Sequence, residues 1–187
     1  MALDDSRLAA TKPNLRIRLE EPGDIPQLHA LVEAAFGRAG EADLLDRLRD
    51  EGALLLSHVA LLDDELVGQA AYSLVNVDDG AQVNHFPALG PIAVSPARQR
   101  QGIGSALVWA GMAAMRAAGH GLLFLVGHRT YYPRFGFVPA LPLGFGSDYV
   151  QPGGAHEHFM VAALDDETVG SARGHVRFHS AFADAEA

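Results

Sequence analysis

Arg98, Gln99, Arg100 and Gln101, four side chains rich in hydrogen-bond donors, stand directly before Gly102-Ile103-Gly104. That spacing suits a phosphate. Backbone N–H groups left unpaired at a helix start converge on an anion, the helix dipole favours its charge, and glycine lets the main chain approach closely. The apolar run Leu89-Gly-Pro-Ile-Ala-Val94 enters the loop with the pattern of a strand. The Ala/Leu-rich stretch Ser105 to Ala118 leaves it with the pattern of a helix, its stripe being Leu107, Val108, Met112 and Met115. Two common phosphate loops do not fit. A P-loop needs a lysine, and this stretch has none. A dinucleotide fingerprint needs a third glycine where Leu107 stands.

The elements that must position this loop read off the hydrophobic period. Leu15-Arg-Ile-Arg-Leu19 alternates as a half-buried strand. Asp24 as N-cap and Pro26 in the first turn open a helix to about Phe36, and a second helix runs from Glu41 to Asp50. Two strands, Leu54 to Leu62 and Leu66 to Val77, flank a hairpin turn at Asp63-Asp64-Glu65. A third spans about Gln82 to Val94, interrupted at Pro87 and Gly90-Pro91. Beyond the loop helix, Leu122 to Val126 is a short apolar strand, Arg129 to Phe135 a short helix, and Phe159 to Leu164 a closing strand. Hairpins first and a β-α-β unit later predict an α/β fold with a mixed sheet, antiparallel and then parallel near the loop. Residues 1–13 read as a disordered lead-in, 14–164 as one domain and 165–187 as a partly ordered tail.

Composition narrows the classes of function. The net charge of −9 argues against a nucleic-acid partner. No apolar run reaches the roughly 18–20 residues that span a bilayer, so no membrane partner is expected. The first residues carry acids where a signal peptide carries positive charge, and cysteine is absent. A cytoplasmic protein without disulfides, thiolate metal sites or a cysteine nucleophile follows. His156-Glu-His158 would share a face if extended, but two histidines without a third ligand make a poor zinc site, and no metal is expected.

The loop Gln99-Arg-Gln-Gly102-Ile-Gly104 and the downstream Tyr131-Tyr-Pro-Arg-Phe-Gly-Phe137 together resemble the acetyl-CoA loop and the aromatic signature of the GNAT acetyltransferase superfamily. The phrases Leu-Gly-Pro-Ile-Ala-Val and Gly-Ile-Gly-Ser-Ala-Leu-Val are similar, more narrowly, to a bacterial YhbS-like subgroup. The likeness covers about Leu15 to Leu164, with a fainter echo at Gly174 to His179. It implies a sheet that splays beside the loop, and acetyl-CoA as acyl donor. It also implies a cofactor-binding set: Ile92, Ala93 and Val94 along the pantetheine arm, Gln99, Arg100, Gln101, Gly102, Ile103, Gly104 and Ser105 around the pyrophosphate, and Tyr131, Tyr132 and Phe135 beside them. Tyr132 is the implied general acid for the departing thiolate, and the Val94 N–H the implied oxyanion donor.

The implied reaction moves an acetyl group to an amine by direct attack in a ternary complex. The general base is left open between His85 and a water chain, because the position where some members carry a glutamate is Ala88. The competing reading is an inactive CoA-binding sensor of the same fold. The acceptor pocket is expected from the Phe36–Gly52 region and the loops after Val138; the acceptor's identity is left open, as is a homodimer.

Overall fold

The computed structural model describes residues 14–150, 156–165, 168 and 172–185; the lead-in 1–13 lies outside the described residues. The chain runs β1 (Leu15–Leu19), α1 (Ile25–Phe36), α2 (Gly40–Asp50), β2 (Leu54–Leu62), β3 (Glu65–Asp78), β4 (Val83–Val94) and α3 (Ile103–Ala117). It continues with β5 (Leu122–Val126), β6 (Val138–Pro139), β7 (Phe145–Ser147), β8 (Phe159–Ala163), β9 (Gly174–Arg177) and α4 (Ala181–Ala185). Among the described residues these strands form one sheet in the order β1-β2-β3-β4-β5-β8-β6, with β9 pairing both β3 and β7. β1 to β4 are antiparallel, and β4 meets β5 in parallel. The expected mixed α/β sheet is the observed one. No helix of the described residues is long and apolar enough to cross a membrane.

Each face of the sheet has its own cover. On one, α3 presents Leu107, Val108, Met112 and Met115 to Ala70, Tyr72, Leu123 and Leu125, all buried. On the other, α1 and α2 lay Leu31, Val32 and Leu45 against Ala71 and Ala93. The β2–β3 hairpin closes through Asp63 and Asp64, both at positive φ (50° and 67°), as a two-residue turn whose twist matches its strands.

Local readings differ at four places. Asp24 holds the N-cap position of α1 but its side chain does not cap that helix. It accepts from Arg18 (2.6 and 2.8 Å) and from the Glu21 amide instead, closing the preceding turn. The helix expected at Arg129–Phe135 shortens to a single 3-10 turn, Tyr132–Phe135, because Pro133 and Gly136 confine it. His156-Glu-His158 is a 3-10 turn, not a strand, so its histidines do not alternate on one face. Finally, part of the expected tail enters the fold: β9 pairs Asn76–Asp78 of β3, and α4 packs on α2.

A part-buried ionic network anchors α2 to the strands. Glu20 accepts from Arg49 (2.7 and 2.9 Å), Ser57 (2.6 Å) and Gln69 (3.0 Å), and Arg49 also donates to Asp46 (2.7 Å). Burial alone would raise the Glu20 carboxyl, but the hydrogen bonds from Arg49, Ser57 and Gln69 outweigh it and hold the group below its ordinary range. A depressed carboxyl contributes stability that is present above its unfolded pKa and lost as pH falls through the folded value. Glu20→Gln should therefore cost about 2 kcal/mol near neutral pH. In thermal unfolding, the gap to the parent protein should narrow below about pH 4. An unchanged melting temperature at neutral pH, or a gap that widens with acid, contradicts this.

Candidate active site

β4 leaves its parallel neighbour early. β4 and β5 pair only at Ala88–Phe124 and Leu89–Leu125. Beyond that point Gly90 and Pro91 of β4 stand opposite Ala71 alone on β3, between the pairs Tyr72–Leu89 and Ala70–Ile92. Two residues against one make a bulge, which bends the strand away from β5. The proline, lacking an N–H, sits where the ladder is already broken.

The phase of the ladder then decides which backbone groups are free. The Ser95 N–H donates to the Val67 carbonyl (2.9 Å), which makes Gly68–Val94 a non-hydrogen-bonded pair. By alternation, Ala93 exchanges its bonds with Gln69, whereas the N–H and C=O of Ile92 and Val94 point into the gap. The buried Ala93 side chain faces α1 and α2. Of the expected strand segment, Ile92 and Val94 thus line the gap and Ala93 does not. The Val94 carbonyl accepts from the Gln99 side chain at 3.2 Å, which folds the loop back on the strand.

The gap opens into a cavity of about 640 Å³. Gln99, Arg100, Gly102, Ile103, Gly104 and Ser105 line it from the loop and the start of α3, and Tyr131 and Tyr132 from the 3-10 turn. Arg98, Arg134 and His128 complete its wall; the motifs had not marked His128 or Arg134 for this site. Three arginines and no carboxylate line this cavity among the described residues, on a chain of net charge −9; Arg98 is paired to Glu65 (3.0 Å) outside the lining. The local field therefore opposes the global one and favours an anion. Gln101 turns away to the Ala97 carbonyl (3.3 Å). Phe135 is buried behind the tyrosines, edge-on to Tyr131 (5.3 Å) and Trp109 (5.2 Å), so it supports the site without lining it.

The two glycines serve different ends. Gly102 is the N-cap of α3 at φ +86°, and a Cβ there would meet open space, so conformation demands the glycine. At Gly104 a Cβ would lie 2.9 Å from the Tyr131 hydroxyl, so packing demands it. Arg134 donates to the Tyr131 carbonyl (2.8 Å) and stacks over its ring, holding the turn.

A second cavity, of about 350 Å³, lies on the other side of the gap. Phe36, Arg38, Glu41 and Leu44 line it from α1, α2 and their corner, and Tyr149, Phe178 and Phe182 from late in the chain. Ile92, His128 and Tyr132 border both cavities. Tyr132 is held there from two sides. Its ring packs on Gly127, where a Cβ would come within 2.3 Å, and stands edge-on to Phe137 (5.8 Å). Its amide and that of Tyr131 reach the His128 carbonyl (3.4 and 2.9 Å). Burial, with a smaller contribution from Tyr131, pushes the Tyr132 phenol well above its ordinary range, so the group is protonated at working pH.

The sequence candidates for a base lie elsewhere. His85 is exposed, bonds Asn76 (2.8 Å) and borders neither cavity. Ala88 is buried in the opposite core, among Val77, Phe124 and Phe159. His158 bonds the Gly127 carbonyl (2.9 Å) and Glu157 pairs with Arg129. Among the described residues no group of three or more His, Asp or Glu is placed to hold a metal ion.

The sheet is thus parted beside a basic cavity, with a protonated phenol at the parting. The model of the acetyltransferase (GNAT) family matches residues 25–137, and the chain belongs to that family. The uncharacterized N-acetyltransferase YhbS of Escherichia coli is 30% identical over 167 residues, 89% of this chain and 97% of that protein. The crystal structure of YhbS in complex with CoA matches with a TM-score of 0.84 at 29% identity, over 92% of this chain and 93% of that one. A GNAT acetyltransferase from Brucella melitensis in complex with acetyl-CoA matches with a TM-score of 0.73 at 33% identity, over 90% and 98%.

The burial of Tyr132 has a spectroscopic consequence. Of the four tyrosines, burial raises Tyr72 as well as Tyr132. Near-ultraviolet titration should find that neither forms phenolate until the protein unfolds in alkali. Tyr132→Phe should leave the reversible part of the curve unchanged; loss of a phenolate signal in the ordinary range would show an accessible phenol.

Proposed function

We propose that the protein transfers an acetyl group from acetyl-CoA to a primary amine, with the two cavities holding donor and acceptor on either side of Tyr132. The observation that carries this reading is the position of Tyr132, the one protonated phenol bordering both cavities among the described residues. The basic cavity has the charge for a pyrophosphate, and the free amides of Ile103, Gly104 and Ser105 at the start of α3 add donors. The edge of β4 that β5 leaves open, at Ile92 and the Val94 N–H, suits an amide-bearing arm added as a strand.

In this reading the amine nitrogen attacks the thioester carbonyl, and the oxyanion is met by the Val94 N–H. The C–S bond then breaks and the sulfur leaves as thiolate. Tyr132 donates toward it. A phenol held above its ordinary value of about 10 transfers a proton uphill to a thiol of about 8.5. Its contribution is therefore a hydrogen bond that tightens as sulfur gains charge, at the lower end of the ~10²–10⁴-fold range of acid catalysis. His128 borders the acceptor cavity and takes the proton the amine loses, a role it suits better than His85, which lines neither cavity. No acyl-enzyme forms, since cysteine is absent and attack within a ternary complex needs none.

The donor half is tested by binding. Gly102→Glu places strain at φ +86°, bulk and an anion at the cavity wall, and should abolish CoA binding in calorimetry. Unchanged affinity removes the cradle assignment. The chemical half is tested by turnover, read as release of free CoA thiol. Tyr132→Phe should lower kcat about 10²-fold with CoA affinity nearly unchanged. His128→Gln should lower kcat too, with a loss that shrinks as pH rises and more free amine is present. Full kcat in Tyr132→Phe at every pH would end its catalytic role.

A further inference from the structure

The acceptor cavity has a chemical character of its own, set by a part of the chain outside the matched residues 25–137. Phe178 follows β9 and Phe182 lies in α4, and both reach the cavity because β9 is stitched to β3 and β7. Tyr149 stands edge-on to Phe178 (5.1 Å, 83°), and Phe178 to Phe182 (5.5 Å, 61°), giving a continuous aromatic wall. Leu44, Pro91 and Phe36 face it, and Phe36 keeps 41% of its surface exposed at the end of α1. A large apolar side chain left open at a cavity is a mark of an apolar occupant.

The two charged side chains in the described lining, Arg38 and Glu41, engage each other. Glu41 is the one carboxylate among the described lining residues, and it accepts two bonds from Arg38 (2.6 and 3.1 Å). The second cation of a polyamine or aminoglycoside needs a carboxylate to replace its water, and this one is neutralised by its partner. An aromatic ring asks only for apolar surface and edge-to-face neighbours, which the wall supplies. At about 350 Å³ the cavity stands at the small end of the ~300–1,000 Å³ range of small-molecule sites.

We propose that the acceptor is a small primary amine carried on an aromatic group, an arylalkylamine, with Phe178 and Phe182 as its specificity-determining residues. The ring lies against the aromatic wall and the amine projects past Ile92 to His128 and Tyr132. This rests on the acetyl-transfer reading for the purpose of the site, while its contacts are a matter of binding alone.

Binding to the CoA-saturated protein therefore tests it without chemistry. Calorimetry or ligand-observed NMR would compare phenethylamine, spermidine and a lysine-containing tripeptide. Phenethylamine should bind at least about tenfold tighter than either. Phe178→Ala and Phe182→Ala should each weaken it about tenfold with CoA affinity unchanged. Phe182→Leu, which keeps bulk where α4 packs on α2, should lose part of that affinity without loss of melting temperature. Tighter binding of spermidine or the peptide, no phenethylamine binding at millimolar concentration, or indifference to both alanine variants overturns the proposal. Phenethylamine that binds as expected but is not acetylated supports the aromatic site and counts against the catalytic reading alone.

Discussion

The structure depends on one break in hydrogen bonding, the parting of β4 from β5 after Leu89. A parallel pair that continued to Val94 would have consumed the backbone groups of Ile92 and Val94 and left no gap. The bulge at Gly90-Pro91 ends the pairing, and α3 then starts beside the gap with its own unpaired amides. Two sets of unsatisfied backbone groups, one from a strand and one from a helix, thus face the same space. Such groups are costly when buried without partners, so a site that leaves them open suits a ligand that satisfies them.

Charge is distributed to the same end. The chain is acidic as a whole, yet Arg98, Arg100 and Arg134 gather at the basic cavity with no acid among its described lining, Arg98 also pairing with Glu65 behind it. The acids cluster instead in structural pairs, of which Glu20–Arg49 is the most buried and secures α2 against the sheet. That anchorage matters to the site because α2 carries Glu41 and Leu44 into the second cavity. Stability and specificity share an element here, as do Gly127 and Tyr132, where a missing Cβ leaves room for the phenol ring.

Much of this was legible in order along the chain. Strand and helix periods placed β1 to β5 and α1 to α3 within a few residues, because each buries a continuous face and the period records it. The paired glycines and flanking arginines marked the loop, since a tight anion cradle tolerates few other residues. Less visible were Ala93, Gln101 and Phe135, which belong to the motifs yet point away from the cavity. A motif is linear, whereas lining depends on ladder phase and helix azimuth. A lone histidine after an apolar strand, as His128 is, carries no spacing signal, whereas a histidine on a strand leading to the loop, as His85 is, has a suggestive position without bordering either cavity.

By itself the sequence determined the mixed sheet, the loop that follows β4 and the family to which the chain belongs, since these rest on local periods and contiguous motifs. Only the tertiary structure decided which backbone groups face the gap, which histidine borders both cavities, and that residues as late as Phe178 and Phe182 wall the same cavity as Phe36. The physical reason is distance along the chain. These relations join segments that are distant along the chain, as far apart as Phe36 and Phe182, through strand pairing, and no local pattern encodes which distant edge a strand will choose.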